Sequence, residues 1–257
     1  MSSQSVNNAD DVMGLFDDDA NISPAASQMM INSLDDANIP NCMGEDLDDL
    51  EDDIITLVAI VMDASYSMKG NEQAVRLSID ELISALDDSK QATSMLVNIR
   101  QFDEIGNEKY IVQGFKKVCD VGKIGKQYTA EGNATALYES LKNALTALLA
   151  YRKQLMDGGI RVKSILTVFS DGGDNDSQVD APDIRIISDD CLKDEQFYLN
   201  YVAYGYDPTA IANKVGFPNA LEISNNPSEI RKSMGLVSKS IIRASQTQVG
   251  KSNTFFQ

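Results

Sequence analysis

The strongest signal in the sequence is an alternation of apolar runs and helical patterns that begins at residue 54. Residues 54–62 form a nearly continuous apolar run, interrupted only by Thr56, which is typical of a central parallel strand covered on both faces. Residues 71–88 then place apolar side chains at every third or fourth position, which predicts an amphipathic helix. A strand–helix alternation therefore starts at this point of the chain.

The alternation continues to residue 244 and predicts the fold class. The same patterns predict strands at residues 94–102, 110–112, 162–169, 197–204 and 220–223, and helices at residues 134–156, 182–193, 208–215 and 227–244. The link at residues 103–108 is too short for a parallel crossover, so the third strand should be antiparallel and lie at a sheet edge. The predicted fold is α/β: a doubly wound, Rossmann-like three-layer sandwich with a mostly parallel sheet and one antiparallel edge strand.

Charge separates an acidic N-terminal segment from the rest of the chain. The net charge is −17, yet residues 1–53 hold 14 Asp and Glu and no Lys or Arg. We therefore predict an acidic, disordered tail at residues 1–50, a folded domain at residues 51–247 and a C-terminal tail at residues 248–257. The acidic segment also contains apolar islands at residues 12–16, 29–31 and 34, which leaves open that it docks on a partner or on its own domain.

The composition excludes several classes of function. The chain has no histidine, which excludes a Ser-His-Asp or Cys-His nucleophile and a histidine-ligated zinc site. Its three cysteines are odd in number and widely spaced, so no disulfide framework is indicated. Nucleic acid is not expected as a partner because the charge is acidic, and no signal peptide or bilayer-spanning run is present. We expect a cytoplasmic protein without a membrane partner.

Oxygen-bearing side chains follow the first and fourth predicted strands at the point where each strand ends. Asp63, Ser65 and Ser67 come directly after the first apolar run, and alternate residues of an extended segment point to the same side. Asp171 follows the fourth run. In a doubly wound sheet with strand order 3-2-1-4-5-6, ligands bind beyond the carboxyl ends of strands 1 and 4. We therefore expect both carboxylates at the carboxyl edge of the sheet, where the parallel strands end.

A bound divalent cation would resolve the repulsion between two neighbouring carboxylates, and the oxygens around them indicate which cation. Unpaired, Asp63 and Asp171 would repel each other and lose hydration, and Lys69 is the only base close to either in the sequence. Hydroxyl and carboxylate oxygens are hard ligands, which suit magnesium with waters completing its shell. The sequence therefore predicts a Mg²⁺ site, with Mn²⁺ or Ca²⁺ as alternatives.

Three short motifs resemble those of von Willebrand factor type A (VWA) domains. The stretch 63–67, DASYS, resembles the DxSxS motif of the family. Residues 132–137, GNATAL, resemble the segment in which a glycine-flanked threonine, here Thr135, opens a helix, and residues 170–172, SDG, resemble the turn after the fourth strand. The resemblance covers residues 54–245, with Tyr66 standing where many members have Gly. It implies a VWA fold with a metal-ion-dependent adhesion site.

The resemblance also implies a role for each residue of the site. Ser65 and Ser67 would ligate the metal directly, Thr135 directly or through water, and Asp63 and Asp171 mainly through water or through hydrogen bonds to the ligands. The last coordination position would take a Glu or Asp of a partner protein, so the implied function is metal-dependent protein–protein interaction and not catalysis. Residues 238–246, SKSIIRASQ, resemble the last helix of bacterial intracellular members, which implies an adaptor for an AAA+ ATPase or a stress-resistance complex.

Simpler interpretations compete for each motif. Ser65 and Ser67 could cap the helix that begins near residue 71, Thr135 could be a helix N-cap, and Asp171 could serve only as a turn former. An Asp at the end of a first parallel strand also occurs in magnesium-dependent phosphohydrolases, which are the alternative function. Those enzymes resemble this chain less well, because they usually carry a second Asp where Ser65 stands.

Acidic residues outside the predicted site allow two further interpretations. Four aspartates, at positions 174, 176, 180 and 183, suggest a calcium loop, but Val179 stands where an EF-hand requires Gly, so a solvated loop is predicted. The acidic residues 1–50 could themselves supply the carboxylate that the site seeks. Deletion of residues 1–50 would then raise the affinity for an external partner.

Overall fold

A six-stranded sheet organises the chain. The computed structural model describes residues 14, 21–34, 38–247 and 255–256. Its strands are β1 (Ile54–Asp63), β2 (Met95–Phe102), β3 (Lys109–Lys117), β4 (Arg161–Ser170), β5 (Phe197–Tyr204) and β6 (Asn219–Ile223). The described α-helices are α1 (Pro24–Ile31), α2 (Glu72–Asp87), α3 (Leu137–Asp157), α4 (Ala181–Cys191), α5 (Thr209–Val215) and α6 (Pro227–Gln246). None of the helices in these residues is long and apolar enough to cross a bilayer.

The strand order is β3-β2-β1-β4-β5-β6, and every neighbouring pair is parallel except β2 with β3. This confirms the predicted doubly wound α/β fold with one antiparallel strand at its edge. The register places Asp63 beside Phe102 of β2 and Met62 beside Phe169 of β4. The carboxyl ends of β1, β2 and β4 therefore lie side by side at the centre of the sheet.

Side chains of β1 alternate between two cores, which makes the domain three layers thick. Leu57, Ala59 and Val61 pack in the core formed with α1, α3, α4 and α5. The intervening Val58, Ile60 and Met62 pack in the core formed with α2 and α6. Because successive residues of a strand point to opposite faces, a central strand covered on both sides must be apolar at every position, as β1 nearly is.

Residues 21–34 and 38–50 of the N-terminal segment belong to the domain, which corrects the predicted boundary at residue 50. Ala26 and Met30 of α1 are fully buried in the core with α3. The backbone N–H and the hydroxyl of Ser23 both donate to Asp190 Oδ2, at 2.8 and 2.6 Å. The island at residues 29–31 therefore docks on its own domain. Of the island at residues 12–16, only Gly14 is among the described residues.

Residues 38–50 cover the outer edge of β3, the antiparallel edge strand. Phe115 N–H donates to Met43 O at 2.9 Å, and Glu45 N–H donates to Phe115 O at 3.1 Å. A Cβ on Gly44 would lie 2.4 Å from the ring of Tyr151, so only glycine allows the segment to approach α3 this closely. The acidic residues at positions 45, 46, 48 and 49 therefore belong to a segment whose backbone is bound to the domain.

The predicted C-terminal tail at residues 248–257 is described only at two residues. Phe255 is 2% exposed, and its ring lies 5.8 Å from that of Tyr198 on β5. Its backbone N–H donates to Asn219 Oδ1 at 3.3 Å. At least this point of the segment packs against the domain, and the rest lies outside the described residues.

We expect Lys163→Met to lower the free energy of unfolding by about 1–3 kcal/mol. Lys163 on β4 is 6% exposed, and its ammonium donates to the carbonyl oxygens of Ala244, Ser245 and Thr247, where α6 ends. The last carbonyls of a helix lack the N–H groups of a following turn, and here the Ala244 carbonyl is bonded additionally by the Thr247 N–H at 3.2 Å, so the lysine stabilises the end of α6. Urea denaturation measures the loss. Lys239→Met, at an exposed position of α6, is the control, and equal stability of the two variants would contradict the prediction.

Candidate metal centre

Asp63 ends β1 with its carboxylate buried and hydrogen-bonded. The residue is 1% exposed. Its Oδ1 accepts the backbone N–H and the hydroxyl of Ser65, at 2.9 and 2.6 Å, and its Oδ2 accepts the Ser170 hydroxyl at 2.6 Å. The bond to the Ser65 N–H turns the chain out of the strand into a short 3₁₀ turn at Tyr66–Met68. The Asp63 side chain therefore helps to end β1 and lies at the carboxyl edge of the sheet.

Two serine hydroxyls connect Asp63 to Asp171. The Oγ atoms of Ser65 and Ser67 are 3.0 Å apart, and the Ser67 hydroxyl donates to Asp171 Oδ1 at 2.7 Å. Asp171 follows β4 directly, so residues 104 positions apart in the sequence meet here. The structure therefore brings four of the five predicted site residues into one hydrogen-bonded chain of oxygens.

Thr135 lies on the neighbouring loop and does not join this chain. The loop is held by Gly132, whose carbonyl accepts the Tyr66 N–H at 2.7 Å and whose N–H donates to Ala64 O at 3.3 Å. Thr135 is 6% exposed, and in the described part of the chain its hydroxyl makes no hydrogen bond with the other four side chains. It precedes α3 by two residues, as the resemblance implied.

Asp103 supports the Thr135 loop and was missed in the sequence. A Cβ on Gly132 would lie 2.0 Å from Asp103 Cβ, so only glycine fits there, and the Asp103 carbonyl accepts the Ala136 N–H at 2.6 Å. Burial raises the pKa of the Asp103 carboxyl, against a hydrogen bond from Asn107 that lowers it. The available signal was its position: Asp103 follows β2 as Asp171 follows β4, at the same edge of the sheet.

The electrostatics of Asp63 and Asp171 favour a bound cation. Burial raises the pKa of both carboxyls above the ordinary value, and the charge of Asp171 adds to the rise at Asp63. Among the described residues, no lysine or arginine forms an ion pair with either. Nor do these residues contain a cluster of three His, Cys, Asp or Glu, so any coordination here would combine the two carboxylates with hydroxyl or water oxygens. Such a donor set suits a hard divalent ion.

The aspartate-rich loop after Asp171 is half-buried or exposed at residues 171–180, in agreement with the predicted solvated loop, and its side chains are also hydrogen-bonded to the domain. Asp174 Oδ1 accepts the Tyr138 N–H at 3.2 Å, and Asp176 Oδ2 accepts the Ile105 N–H at 2.7 Å. Asp180 and Asp183 form a capping box at the start of α4. These carboxylates therefore have structural roles as acceptors of backbone N–H groups.

Two tyrosines hold the turn that carries Asp171. The hydroxyls of Tyr201 and Tyr206 are 2.5 Å apart and lie 3.3 and 3.0 Å from the carbonyl oxygen of Gly172. The Ser170 hydroxyl lies 2.9 Å from the same oxygen. The backbone next to Asp171 is thus fixed from β5 and from the loop that follows β5.

Comparison with known proteins identifies the fold but no close relative. The sequence matches no family model, and no curated protein matches it. Among solved structures, the fold resembles the PilB minor pilin from Streptococcus sanguinis, with a TM-score of 0.54 and 14% identity over 79% of this chain and 64% of the pilin. It also resembles proximal thread matrix protein 1 of the mussel byssus, in a structure with a zinc-occupied MIDAS motif. The TM-score is 0.52, with 15% identity over 80% of this chain and 47% of the mussel protein.

A third similar structure is a VWA domain by itself. The alignment with the SpRpn10 VWA domain covers 76% of this chain and 100% of that domain, with a TM-score of 0.50 and 11% identity. In contrast, the chain spans less than two thirds of the length of the pilin and of the mussel protein. At these identities the likeness concerns the fold alone, which is VWA-like.

Proposed function

We propose that this chain is a metal-dependent protein-binding module. Ser65, Ser67 and Thr135 would hold a Mg²⁺ ion together with Asp63 and Asp171, and the ion would bind a Glu or Asp side chain of a partner protein. The zinc-occupied MIDAS motif of the mussel protein supports the binding of a divalent ion by a fold of this kind. We propose Mg²⁺ as that ion because the donors in this chain are hydroxyl and carboxylate oxygens.

The observation that carries the proposal is the burial of the Asp63 carboxyl without an ion-pair partner among the described residues. A carboxylate that is 1% exposed loses most of its hydration, and three hydrogen bonds from neutral donors replace only part of it. Asp171, linked through Ser67, adds a second negative charge. A divalent cation at these oxygens would offset both charges, which a purely structural role for the motif does not explain.

Exposure at the rim supports a protein as the partner. Ser67 is exposed and Asp171 half-buried, so an ion held by them is accessible from solvent. Tyr66 is 60% exposed beside Ser67, and Ile105 is 36% exposed on the hairpin between β2 and β3. Apolar side chains around a charged centre are typical of surfaces that bind another protein.

The proposal is one of binding and not of catalysis. The chain has no histidine, and in the residues that the structure describes no lysine or arginine hydrogen-bonds to the side chains of the site. If the chain were a phosphohydrolase, its site would lack the lysine or arginine side chain that usually binds the phosphate. The finer proposal, a cytoplasmic adaptor for an AAA+ ATPase or a stress-resistance complex, rests on the resemblance of residues 238–246 alone.

Capture of the partner should require both the metal and Thr135. We expect proteins that bind the immobilised full chain in Mg²⁺ to be released by EDTA and restored by Mg²⁺. Thr135→Ala should weaken their capture about tenfold, since it removes a metal ligand or its water contact. Quantitative mass spectrometry of the bound fraction measures both effects.

The control for this experiment is Thr93→Ala. Thr93 is exposed, precedes β2 and therefore lies at the opposite edge of the sheet, so its hydroxyl cannot reach the site. A set of captured proteins that is the same in EDTA, in Thr135→Ala and in the wild type would rule out the proposed function.

A further inference from the structure

Four consecutive side chains of the loop after Asp171 each accept a backbone N–H from the rim of the site. Asp174 and Asp176 accept from Tyr138 and Ile105, as described above. Between and after them, Asn175 Oδ1 accepts the Thr135 N–H at 2.7 Å, and Ser177 Oγ accepts the Glu139 N–H at 3.0 Å. The first turn of α3 has no side-chain cap of its own on Ala136, so this loop satisfies its N–H groups instead.

Asn175 binds both backbone polar groups of Thr135. Besides the side-chain bond, the Asn175 N–H donates to the Thr135 carbonyl at 3.0 Å. Each polar group of the Thr135 backbone therefore has Asn175 as its partner. Thr135 makes no other backbone hydrogen bond in the described residues, so Asn175 fixes the position from which the threonine hydroxyl extends.

Asp171 lies in the same segment, four residues before Asn175. The turn at Asp171 is fixed by Tyr201 and Tyr206 through the Gly172 carbonyl. Asn175 therefore connects the backbone of Thr135, on one side of the site, to a turn anchored on the other side. A short connection of this kind sets the separation between two predicted ligands that come from different elements.

We infer that Asn175 is a positioning residue for the metal: it holds Thr135 at the distance from Asp171 that the ion requires. This inference rests on the proposed function, since it assumes that a divalent ion binds at these residues. Asn175 itself is exposed and is not a ligand. Loss of a partner that orients a ligand typically weakens metal binding by about 10- to 100-fold.

A double-mutant cycle tests the inference with the metal alone as probe. Isothermal titration of the full chain with MgCl₂, and separately with MnCl₂, gives the dissociation constant, and metal-free melting temperatures are recorded for each variant. Asn175→Ala should weaken binding about tenfold in the wild-type background. In the Thr135→Val background it should have no further effect, because the hydroxyl that Asn175 positions is then absent.

Asn226→Ala is the matched control. Asn226 is also exposed, and its side chain also accepts one backbone N–H, from Glu229 at 3.1 Å, as the N-cap of α6. It should lower the metal-free melting temperature about as much as Asn175→Ala while leaving the dissociation constant unchanged.

The outcomes separate the two proposals. Unchanged metal affinity in Asn175→Ala, or an equal loss in the wild-type and Thr135→Val backgrounds, overturns the role of Asn175 and leaves the proposed function intact. Absence of Mg²⁺ and Mn²⁺ binding by the wild type overturns the proposed function and this inference with it.

Discussion

Removal of residues 1–50 is expected to abolish folding. Removal of a free tail that occupied the site would instead raise the affinity for a partner. The deletion would take away Ala26, Met30 and Cys42, which are fully buried. It would also uncover Phe115 and Tyr151, whose rings lie 5.3 Å apart under residues 38–50. Each large apolar side chain contributes about 1.5–3 kcal/mol by its burial, and a domain is stable by only about 5–15 kcal/mol.

Thermal unfolding followed by circular dichroism measures this effect. We expect no cooperative transition for residues 51–257 and a melting temperature close to that of the full chain for residues 21–257, which keep Ser23 and its two bonds to Asp190. A cooperative transition of residues 51–257 within a few degrees of the full chain would contradict the role of the N-terminal segment. A deletion that unfolds the protein is also unsuitable for testing whether the acidic residues occupy the site.

A single substitution tests the same packing without a deletion. Met30→Ala should lower the free energy of unfolding by about 2–5 kcal/mol, because it leaves a cavity between α1 and the core. Met156→Ala removes the same atoms from a side chain that is 45% exposed on α3 and should cost far less. Equal losses would mean that α1 is not bound in solution as it is in the structure.

The sheet could be predicted from the sequence because its signals are local. The apolar run at residues 54–62 corresponds to β1 at Ile54–Asp63, and the run at 197–204 coincides with β5. The short link at residues 103–108 correctly implied an antiparallel β3, since chain length alone forbids a parallel crossover there. Strand order followed from the general rule for doubly wound folds, and the structure confirms it.

The N-terminal segment could not be predicted because its contacts are distant in the sequence. Its apolar residues stand in short islands separated by acidic and other polar residues, and its charge is strongly negative, which is typical of a disordered chain. What binds it is specific: Asn41 Oδ1 accepts the Gly114 N–H at 3.2 Å, and Gln154 donates to Cys42 O at 2.7 Å, across 73 and 112 residues. Bonds of this kind leave no periodic pattern in a sequence.

The position of the candidate site was predictable from the sequence, but the residues that support it were not. Asp63, Ser65 and Ser67 share one strand end, and the fold rule brings Asp171 to them. The partners that hold the site, such as Asp103 against Gly132 and Asn175 against Thr135, act through close packing and backbone bonds. Those interactions depend on which loops become neighbours after folding, and the sequence alone does not specify that.

Asp63→Asn should remove metal binding while leaving the metal-free protein at least as stable as the wild type. The amide has nearly the shape of the carboxylate, and its oxygen can still accept the N–H and the hydroxyl of Ser65. In the wild type the Ser170 hydroxyl donates to Asp63. In the variant the amide NH₂ can donate to the Ser170 oxygen, and the Ser170 hydroxyl can turn toward the Gly172 carbonyl, 2.9 Å away. The substitution therefore keeps the hydrogen bonds and removes the charge. Because burial raises the pKa of Asp63, the charged form is disfavoured in the folded protein, and its loss should not destabilise the fold.

Melting temperatures with and without Mg²⁺ separate these two effects. The wild type should melt higher in Mg²⁺ and return to its metal-free value in EDTA, since an ion that binds only the folded state stabilises it. Asp63→Asn should show no shift up to about 100 times the wild-type dissociation constant. Asp207→Asn is the matched control: its Oδ1 accepts the N–H and the hydroxyl of Thr209 at 2.9 and 2.6 Å, the same local bonds, on an exposed loop. A Mg²⁺ shift that survives in Asp63→Asn, or disappears equally in Asp207→Asn, would place the ion somewhere other than the end of β1.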